Sequence, residues 1–371
     1  MRRRRLFAIA RKEVLQLRRD PRSLAMAFAL PLLLLIIFGY AITWDIRDIP
    51  TAVLDQDLSS DSRALLDALR SSGYFQIVEV LDGPARINSL LDGVDVQIVF
   101  VIPPDFSSRL GTGRPSPVQA LVDGSDANTA TIVLAYAEAV VRTFAETALP
   151  TGQEFRAPLL IETRVWYNEE LESRNMIVPG LVAVIMMIIA AMLTSLTISR
   201  EWERGTMEQL ASTPVSRVEV VFGKLLPYLG IGLIDVAASS LLGVVLFKVP
   251  FRGSPWLFMV LSFFFILGAL GLGMFISAAA RSQLVATQVA LIVTFLPAFL
   301  LSGFMYAIEV MPVPLQIVTY LIPARYYIVV TRGIFLKGVG VEVLRAEGLL
   351  MLAFALVGLT LAVKSFHKEL Q

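Results

Sequence analysis

The 371-residue chain contains no cysteine and only one histidine, His367 near its C-terminus. These absences exclude a thiolate zinc site, a cysteine nucleophile and a Ser-His-Asp triad within the middle of the chain. The phosphate-binding pattern G-x-x-x-x-G-K-[ST] is missing too, because Gly223-Lys224 has no glycine five residues earlier and is followed by leucine. We therefore expect no catalytic residue, no metal ligand and no directly bound cofactor.

Charged residues are scarce as well. They make up 17% of the chain, whereas 56% of the residues are hydrophobic, and soluble domains carry about 25% charged residues. The mean hydropathy of +0.70 is typical of a membrane protein. Residues 45–175 hold ten Arg, no Lys and twenty Asp or Glu, although the whole chain has a net charge of +1. This uneven distribution predicts that the chain lies in two compartments.

The first long apolar run covers residues 24–44 and contains no charged residue. Its 21 residues match the roughly 20 that cross a bilayer as a helix. Nine Lys or Arg residues precede it, which places the N-terminus in the cytoplasm. We interpret the run as an uncleaved first transmembrane helix.

Residues 1–23 are predicted to form an amphipathic helix on the inner membrane surface. Apolar side chains recur there at helical spacing, at Leu6, Ile9, Ala10, Val14 and Leu17. Glu13 interrupts this apolar stripe. A solvated basic tail is the alternative interpretation.

Residues 45–175 are predicted to be an α/β domain with a mixed or parallel sheet, because strand-like and helical patterns alternate. The predicted strands cover 50–55, 74–80, 95–102, 116–123 and 160–167, and the predicted helices cover 59–73, 84–91 and 127–149. In DGSDAN (123–128) we favour a turn in which Asp126 caps the following helix over a metal site formed by Asp123, Asp126 and Asn128.

Residues 176–371 contain five further apolar runs, at 176–198, 219–247, 256–279, 284–304 and 348–363. The predicted fold is thus an α-helical polytopic membrane protein with six transmembrane helices and an inserted extracytoplasmic α/β domain. An even number of spans puts both termini in the cytoplasm and the acidic domain outside.

Residues 305–347 are predicted to be an outer re-entrant segment, because short apolar pieces alternate there with prolines. Its candidate functional residues are Pro323, Arg325, Arg332 and Gly333. A seventh span that includes 326–336 is the alternative, and Arg325 and Arg332 argue against it.

Two features stand out inside the predicted spans. Asp235 is an acidic residue deep in an apolar run, and either a structural hydrogen bond or contact with substrate or protons would explain it. Ala269, Gly273 and Ser277 recur every four residues, which predicts close helix packing rather than a nucleotide loop at GALGLG (268–273).

Charged residues return in a loop between two of these runs, EWERGTMEQLASTPVSR (201–217). Gly205 is expected to break the preceding helix, and Thr206 with Gln209 matches a capping box that would start a new one. Pro214 is expected to end it. The pattern predicts a short rigid helix within 200–214, which serves either as a surface turn or as a docking element for a cytoplasmic protein.

The stretch 201–228 resembles the signature loop of the ABC type-2 exporter permeases, with Glu201, Glu203, Arg204, Gly205, Thr206, Glu208, Leu210, Thr213, Pro214, Gly223 and Lys224 in the expected order. The stretches 52–63, 101–110, 122–130 and 322–338 resemble the drug-efflux subfamily, although Ile322 stands where that subfamily more often has asparagine. The resemblance implies that 200–214 is a coupling helix that docks on a separate ATP-binding subunit. The residues expected to serve this coupling are Glu201, Glu203, Arg204, Gly205, Thr206, Glu208, Gln209, Thr213 and Pro214.

The resemblance also implies a function. The chain would be the permease subunit of an ATP-driven exporter for small amphiphilic substrates in a bacterial inner membrane, and would use ATP only through its partner. Expected partners are the ATP-binding subunit, a second permease subunit, a periplasmic adaptor and the lipid membrane, but no nucleic acid. A lipid or polysaccharide exporter and a membrane-anchored sensor with an external ligand-binding domain are the alternatives.

Overall fold

The computed structural model describes residues 3–42, 48–93, 95–124, 127–148 and 172–366. The chain divides into two compact units, Met1–Thr43 with Arg164–Gln371 and Trp44–Thr163. The predicted strand at 160–167, the capping residue Asp126 and the histidine His367 lie outside the described residues.

The N-terminal part begins with helix α1 (Arg3–Arg18), whose buried face includes Ala10, Glu13 and Leu17. Three consecutive helical segments follow: α2 (Pro21–Leu24), a π-helical turn (Ala25–Ala29) and α3 (Leu30–Ala41). Within the predicted first span, the apolar helix Ala27–Ala41 is shorter than the roughly 20 residues of a full crossing. The π turn changes the hydrogen-bond pattern within the run that the sequence predicts as one regular α-helix, but the backbone stays helical through it.

The second unit is an α/β fold. Its elements are β1 (Ile49–Asp55), α4 (Ser60–Ser71), β2 (Phe75–Val80), α5 (Ile87–Asp92), β3 (Ile98–Ile102), α6 (Phe106–Gly111), β4 (Gln119–Val122) and α7 (Ala127–Ala148). The sheet has the order β2-β1-β3-β4, in which β1 is parallel to both of its neighbours and β4 is antiparallel to β3. Because β1 and β3 are central, their side chains are buried on both faces, and two separate apolar clusters form.

Polar side chains fix the end of β1 in this unit. Asp55 accepts hydrogen bonds from the Ser62 hydroxyl at 2.7 Å and from the backbone N–H of Leu58 at 3.0 Å. Asp57 accepts from both the backbone and the hydroxyl of Ser107. Burial acts to raise the pKa of Asp57, but hydrogen bonds from Ser59 and Ser107 outweigh it, and the pKa falls below its ordinary value. These contacts explain the polar run that follows the strand.

The remaining elements form a helical membrane unit. They are α8 (Ser173–Glu203), α9 (Met207–Ser212), α10 (Arg217–Val245), α11 (Pro255–Ala280), α12 (Gln283–Leu300), α13 (Val313–Thr319), α14 (Pro323–Arg332), a π turn (Gly333–Lys337) and α15 (Val341–Ser365). Five of them, α8, α10, α11, α12 and α15, are long and apolar enough to cross a membrane. The chain is therefore a multi-pass membrane protein.

Within 305–347, α13 and the helix Pro323–Lys337 are bent by 76° relative to each other. If this pair is one broken span, the described residues hold six candidate spans instead of five. The bent pair is equally compatible with the predicted re-entrant segment. Helix α8 is the centre of the bundle, because it packs against α3, α10, α11, α12 and α14.

Candidate functional site

The loop after α8 has a defined backbone. Helix α8 ends at Glu203, and Gly205 adopts a left-handed conformation with φ of 66°. The N–H of Gly205 donates to the carbonyl of Trp202, and the N–H of Thr206 donates to the carbonyl of Glu201. This pair of bonds is a Schellman motif, the helix ending for which glycine is best suited. Gly205 thus stops α8 as predicted and turns the chain into α9.

The far end of the loop is fixed as well. Helix α9 ends at Ser212, and Thr213 is extended with ψ of 148°. A residue before proline avoids helical geometry, so Pro214 explains this ending. Ser216 and Glu219 then form a capping box that starts α10. The loop is therefore a six-residue helix held between a glycine stop and a capped helix start.

The predicted capping box at Thr206 is wrong. Thr206 is the residue before α9, but its side chain makes no capping hydrogen bond. Its hydroxyl donates instead to the carboxylate of Glu201. A hydrogen bond donated to a carboxylate is stronger than one between neutral groups, and here it directs the hydroxyl toward the end of α8, where its oxygen accepts no capping bond from α9.

Glu201 belongs to a buried ion cluster, which we define as Glu13, Glu201 and Lys224 with Lys12 at its edge. Lys224 Nζ lies 2.5 Å from Glu13 Oε1 and 3.0 Å from Glu201 Oε1. Glu13, Glu201 and Lys224 are each at most 5% exposed. Lys12 Nζ lies 2.9 Å from Glu201 Oε1. Buried charges persist only when they are paired, so the cluster joins α1, the end of α8 and the start of α10.

Close packing brings α1 to this cluster. A Cβ on Gly223 would lie 2.8 Å from Ile9 Cβ and 3.1 Å from the Leu6 carbonyl oxygen. Only glycine allows the two helices to approach so closely. At the other side of the loop, the Arg5 guanidinium donates to the Pro214 carbonyl. Helix α1 therefore contacts both α10 and the chain that leads into it.

The remaining loop residues differ in exposure. The exposed ones are Glu203, Arg204, Gly205, Glu208, Gln209 and Pro214, whereas Thr206 and Thr213 are half-buried. Glu203 accepts a hydrogen bond of 2.7 Å from the backbone N–H of Gln283, at the start of α12. Thr213 donates to the carbonyl of Leu210. Glu208 and Gln209 lie on the free surface of α9.

The sequence interpretation did not assign Arg5, Lys12 or Glu13 to this site. A signal for Glu13 existed, because it lies on the otherwise apolar stripe of α1, and a lone carboxylate on a buried face needs a cation. The partner could not be identified from spacing, since Lys224 is 211 residues away. Lys224 was noted only as part of the loop pattern.

Inside the helical unit, Asp235 is 2% exposed. Its Oδ2 atom has no hydrogen-bond partner among the described residues, and the hydroxyl of Ser239, one turn further along α10, also has none there. A carboxylate oxygen left without a partner in a buried site is costly. Oδ2 therefore does not form the structural hydrogen bond considered for Asp235 with any described residue.

Two of the three small residues of α11, Gly273 and Ser277, lie where α11 meets α8. Ala269 and Ser277 are fully buried, and a Cβ on Gly273 would lie 2.2 Å from the Ala191 carbonyl oxygen. The Ser277 hydroxyl accepts hydrogen bonds from the backbone N–H groups of Ile198 and Ser199 at 2.9 and 3.0 Å. Small side chains here allow backbone-to-backbone contact between the two helices.

The four residues singled out in 305–347 lie around α14. Pro323 is its first residue, and the Arg325 guanidinium lies 4.1 Å from the centre of the Tyr320 ring. Arg332 Nε donates to the Met176 carbonyl at 3.3 Å, and Gly333 is buried. Arg332 therefore joins α14 to the start of α8.

Within the described residues, no group of three or more His, Asp or Glu side chains could hold a metal ion. The possible metal site at Asp123, Asp126 and Asn128 includes residues that the structure does not describe.

Nearly the whole chain is similar to known proteins. A family model described as ABC-2 family transporter protein matches residues 21–364. The probable multidrug ABC transporter permease YbhS of Escherichia coli K12 is 37% identical over 361 residues, which is 96% of each chain. The probable multidrug ABC transporter permease YbhR of the same organism is 30% identical, over 91% of this chain and 92% of its own. The linearmycin resistance permease protein LnrN of Bacillus subtilis 168 is 24% identical over 98% of this chain and 99% of its own.

Proposed function

The chain belongs to the ABC-2 family of transporter proteins, and from this premise we propose that a separate ATPase subunit drives it to move small amphiphilic molecules outward. The resemblance inferred from the loop is thereby confirmed. The chain is an ABC-2 permease of the multidrug type, a transport subunit and not an enzyme. ATP is hydrolysed on the partner, and the permease alternates between inward-facing and outward-facing states.

The observation that carries this proposal is the loop of Arg204 to Ser212, which combines an exposed surface with a rigid base. Glu208 and Gln209 are exposed on α9, while Glu201 at the base is held in the buried ion cluster. A force applied to the exposed surface would move α8 and α10 together, because the end of α8 and the start of α10 are joined by this cluster. That arrangement supports a coupling role for residues 200–214, in which the exposed Arg204, Glu208 and Gln209 meet the ATPase.

An apolar cavity supports the amphiphilic substrate class. It has a volume of about 360 Å³ and lies between α3, α8 and α12, where twelve side chains line it, all of them apolar. Phe38, Met192 and Phe295 are among them. Small-molecule sites are commonly apolar clefts of about 300–1,000 Å³. We propose that this cavity forms part of the pathway, and that a second permease subunit completes it.

For topology, we propose that both termini are cytoplasmic and that residues 45–175 lie outside a bacterial inner membrane, where a periplasmic adaptor could bind them. Reporter fusions after Gln371 and near Gly113 test this. The first should report a cytoplasmic location and the second an external one. If both report the same side, the proposed topology is wrong.

The function itself is tested by reconstitution. The chain would be produced together with its ATP-binding subunit, whose gene we expect beside its own, and ATP-dependent uptake of a fluorescent amphiphilic cation would be measured in inverted membrane vesicles. The control replaces the P-loop lysine of the ATPase, which leaves the permease unchanged. Uptake that needs both proteins and intact ATP hydrolysis supports the proposal. Uptake that is unaffected by loss of hydrolysis would contradict it.

A further inference from the structure

A large basic groove lies beside the ion cluster, between α1, the end of α8 and the start of α12. Its volume is about 1,150 Å³. We define the basic groove by its five cations, Arg11, Lys12, Arg19, Arg200 and Arg204. Asp20 is the one carboxylate among the described residues that line it. This excess of positive charge predicts an anionic occupant.

Two of the five cations already have carboxylate partners. Lys12 contacts Glu201 at 2.9 Å, and Arg200 lies 3.6 Å from Asp20. Arg11, Arg19 and Arg204 are exposed and form no ion pair with any residue that the structure describes. Arg11 and Arg19 also lie outside the loop proposed to meet the ATPase, so these two guanidinium groups are available in one concave surface. The guanidinium fork is well matched to phosphate oxygens.

The position of the groove along the membrane normal indicates that the phosphate belongs to a lipid headgroup. Leu196 and Arg200 lie one turn apart on α8, and Arg204 directly follows its last residue, so the three span about 12 Å along the helix axis. Leu196 belongs to the apolar part of the span, whereas the two arginines lie beyond it. The polar headgroup layer of one leaflet is about 6 Å thick. The groove therefore crosses the level at which hydrocarbon gives way to headgroups.

The side of α1 that faces the groove also carries both apolar and basic side chains. Ala8 and Leu15 alternate there with Arg11 and Arg19, and Leu15 is 44% exposed. The neighbouring apolar residues Phe7 and Val14 are also exposed. A helix that presents apolar side chains and arginines together is suited to the membrane interface.

We propose that the basic groove binds the phosphate headgroup of an anionic phospholipid, with the acyl chains lying along Leu15 and Leu196. The bound lipid connects α1 to α8, next to the ion cluster. This inference does not depend on the proposed transport function, since it requires only that the helical unit lies in a membrane.

The test uses the purified full chain without any ATPase. Native mass spectrometry from detergent micelles would compare the retention of phosphatidylglycerol with that of phosphatidylcholine. An Arg11→Gln/Arg19→Gln variant should bind phosphatidylglycerol roughly 25-fold more weakly, because each interfacial arginine contributes roughly fivefold. The Arg11→Lys/Arg19→Lys variant should retain most of the binding. Arg217→Gln is the matched control, since Arg217 is exposed but lies outside the groove.

Several results would overturn the proposal. One is equal retention of the two lipids, and another is wild-type binding by the Gln double variant. Displacement of the lipid by equimolar inorganic phosphate would assign the groove to a free anion. If the Gln double variant bound lipid normally but lost the ATPase subunit, the groove would be a protein-docking surface. Because both arginines are exposed, all variants should melt like the wild type in phosphatidylcholine micelles. If the Gln double variant does not, the single variants Arg11→Gln and Arg19→Gln carry the comparison, and each should bind phosphatidylglycerol roughly fivefold more weakly.

Discussion

Lys224 Nζ lies 3.0 Å from Glu201 Oε1 and 2.5 Å from Glu13 Oε1, so a single buried ammonium group serves two carboxylates from different helices. The start of α10, the end of α8 and helix α1 therefore depend on one side chain. Lys12, at the edge of the cluster, adds a second cation for Glu201, but its side chain is 56% exposed.

Replacing Lys224 with Met should destabilise the helical unit by about 3–5 kcal/mol, because it leaves two buried carboxylates without their cation. Lys12→Met is the matched control and should cost at most about 1 kcal/mol, because exposed ion pairs contribute little. Thermal unfolding of the purified protein in detergent measures both. Equal losses for the two variants would show that the buried position of Lys224 has no special importance.

The docking role of the loop is tested at Glu208 and Gln209. Both are exposed on α9, so Glu208→Arg/Gln209→Arg should leave thermal stability unchanged. If the ATPase binds here, charge reversal should reduce its co-purification at least about tenfold, because like charges at a contact are repulsive. Glu309→Arg, an exposed acidic residue in 305–347, is the control.

Glu201 and Glu203 are less suitable for that test. Glu201 is buried and ion-paired, and Glu203 accepts a hydrogen bond from the start of α12. Reversing either charge would disturb the fold as well as any docking contact. Full retention of the ATPase by the Glu208/Gln209 variant would identify the loop as a surface turn.

Gly205→Ala should destabilise the loop by about 1–2 kcal/mol, since a side chain disfavours the left-handed conformation at φ of 66°. A Cβ there has no atom within 4 Å, so the cost comes from the backbone and not from a clash. Gly83→Ala provides the comparison, because Gly83 also has open space but an extended φ of −172°. ATP hydrolysis stimulated by substrate should fall only for the Gly205 variant. If the Gly205 variant behaved like Gly83→Ala, the left-handed backbone at Gly205 would not be important for coupling.

Asp235→Leu separates structure from function within α10. Removing a buried oxygen that has no described partner should leave stability unchanged or raise it by about 1–3 kcal/mol. If this carboxylate meets substrate or protons, transport should be lost in the same variant. Asp235→Asn, which keeps the volume, controls for packing. A stable variant with wild-type transport would assign Asp235 no role in the pathway.

Residues 48–172 should form a soluble folded fragment, because the two apolar clusters of this unit pack on the faces of its own sheet. The pKa of Asp57 is lowered in the fold, so its stabilising effect is complete above the ordinary pKa near 3.8 and is lost as the pH falls through the folded value. Asp57→Asn should therefore melt earlier than the wild type at pH 7, and the difference should narrow as the pH is lowered below 3.8. Thermal melts monitored by circular dichroism measure this, and a fragment without a cooperative transition would show that these boundaries are wrong.

Local patterns predicted much of the fold because they depend on local physics. Long uncharged runs predict helices such as α8 and α11, and short, mostly apolar runs predict β1 and β3. Gly205 and Pro214 could be identified as helix stops because their backbone restrictions hold in any context. The π turn at Ala25–Ala29 could not be predicted, since its residues fit an α-helix equally well.

The ion cluster could not be predicted because it depends on tertiary contacts. The spacing of Thr206 and Gln209 satisfies the capping-box pattern, yet the hydroxyl bonds to Glu201, whose carboxylate is brought near by the helix ending at Gly205. Glu13 lies on an otherwise apolar helix face, which indicates a buried ion pair, but the neighbouring sequence does not identify its partner. A single charge on an apolar face thus predicts that a partner exists, but only the three-dimensional structure shows which residue it is.

The 211 residues between Glu13 and Lys224 also impose an order of events during synthesis. Helix α1 leaves the ribosome first, but its buried carboxylate has no cation until the start of α10 has been made. At about 5–20 residues per second, that interval is roughly 10–40 s. The contact between α1 and α10 can therefore form only after all of α8 has been synthesised.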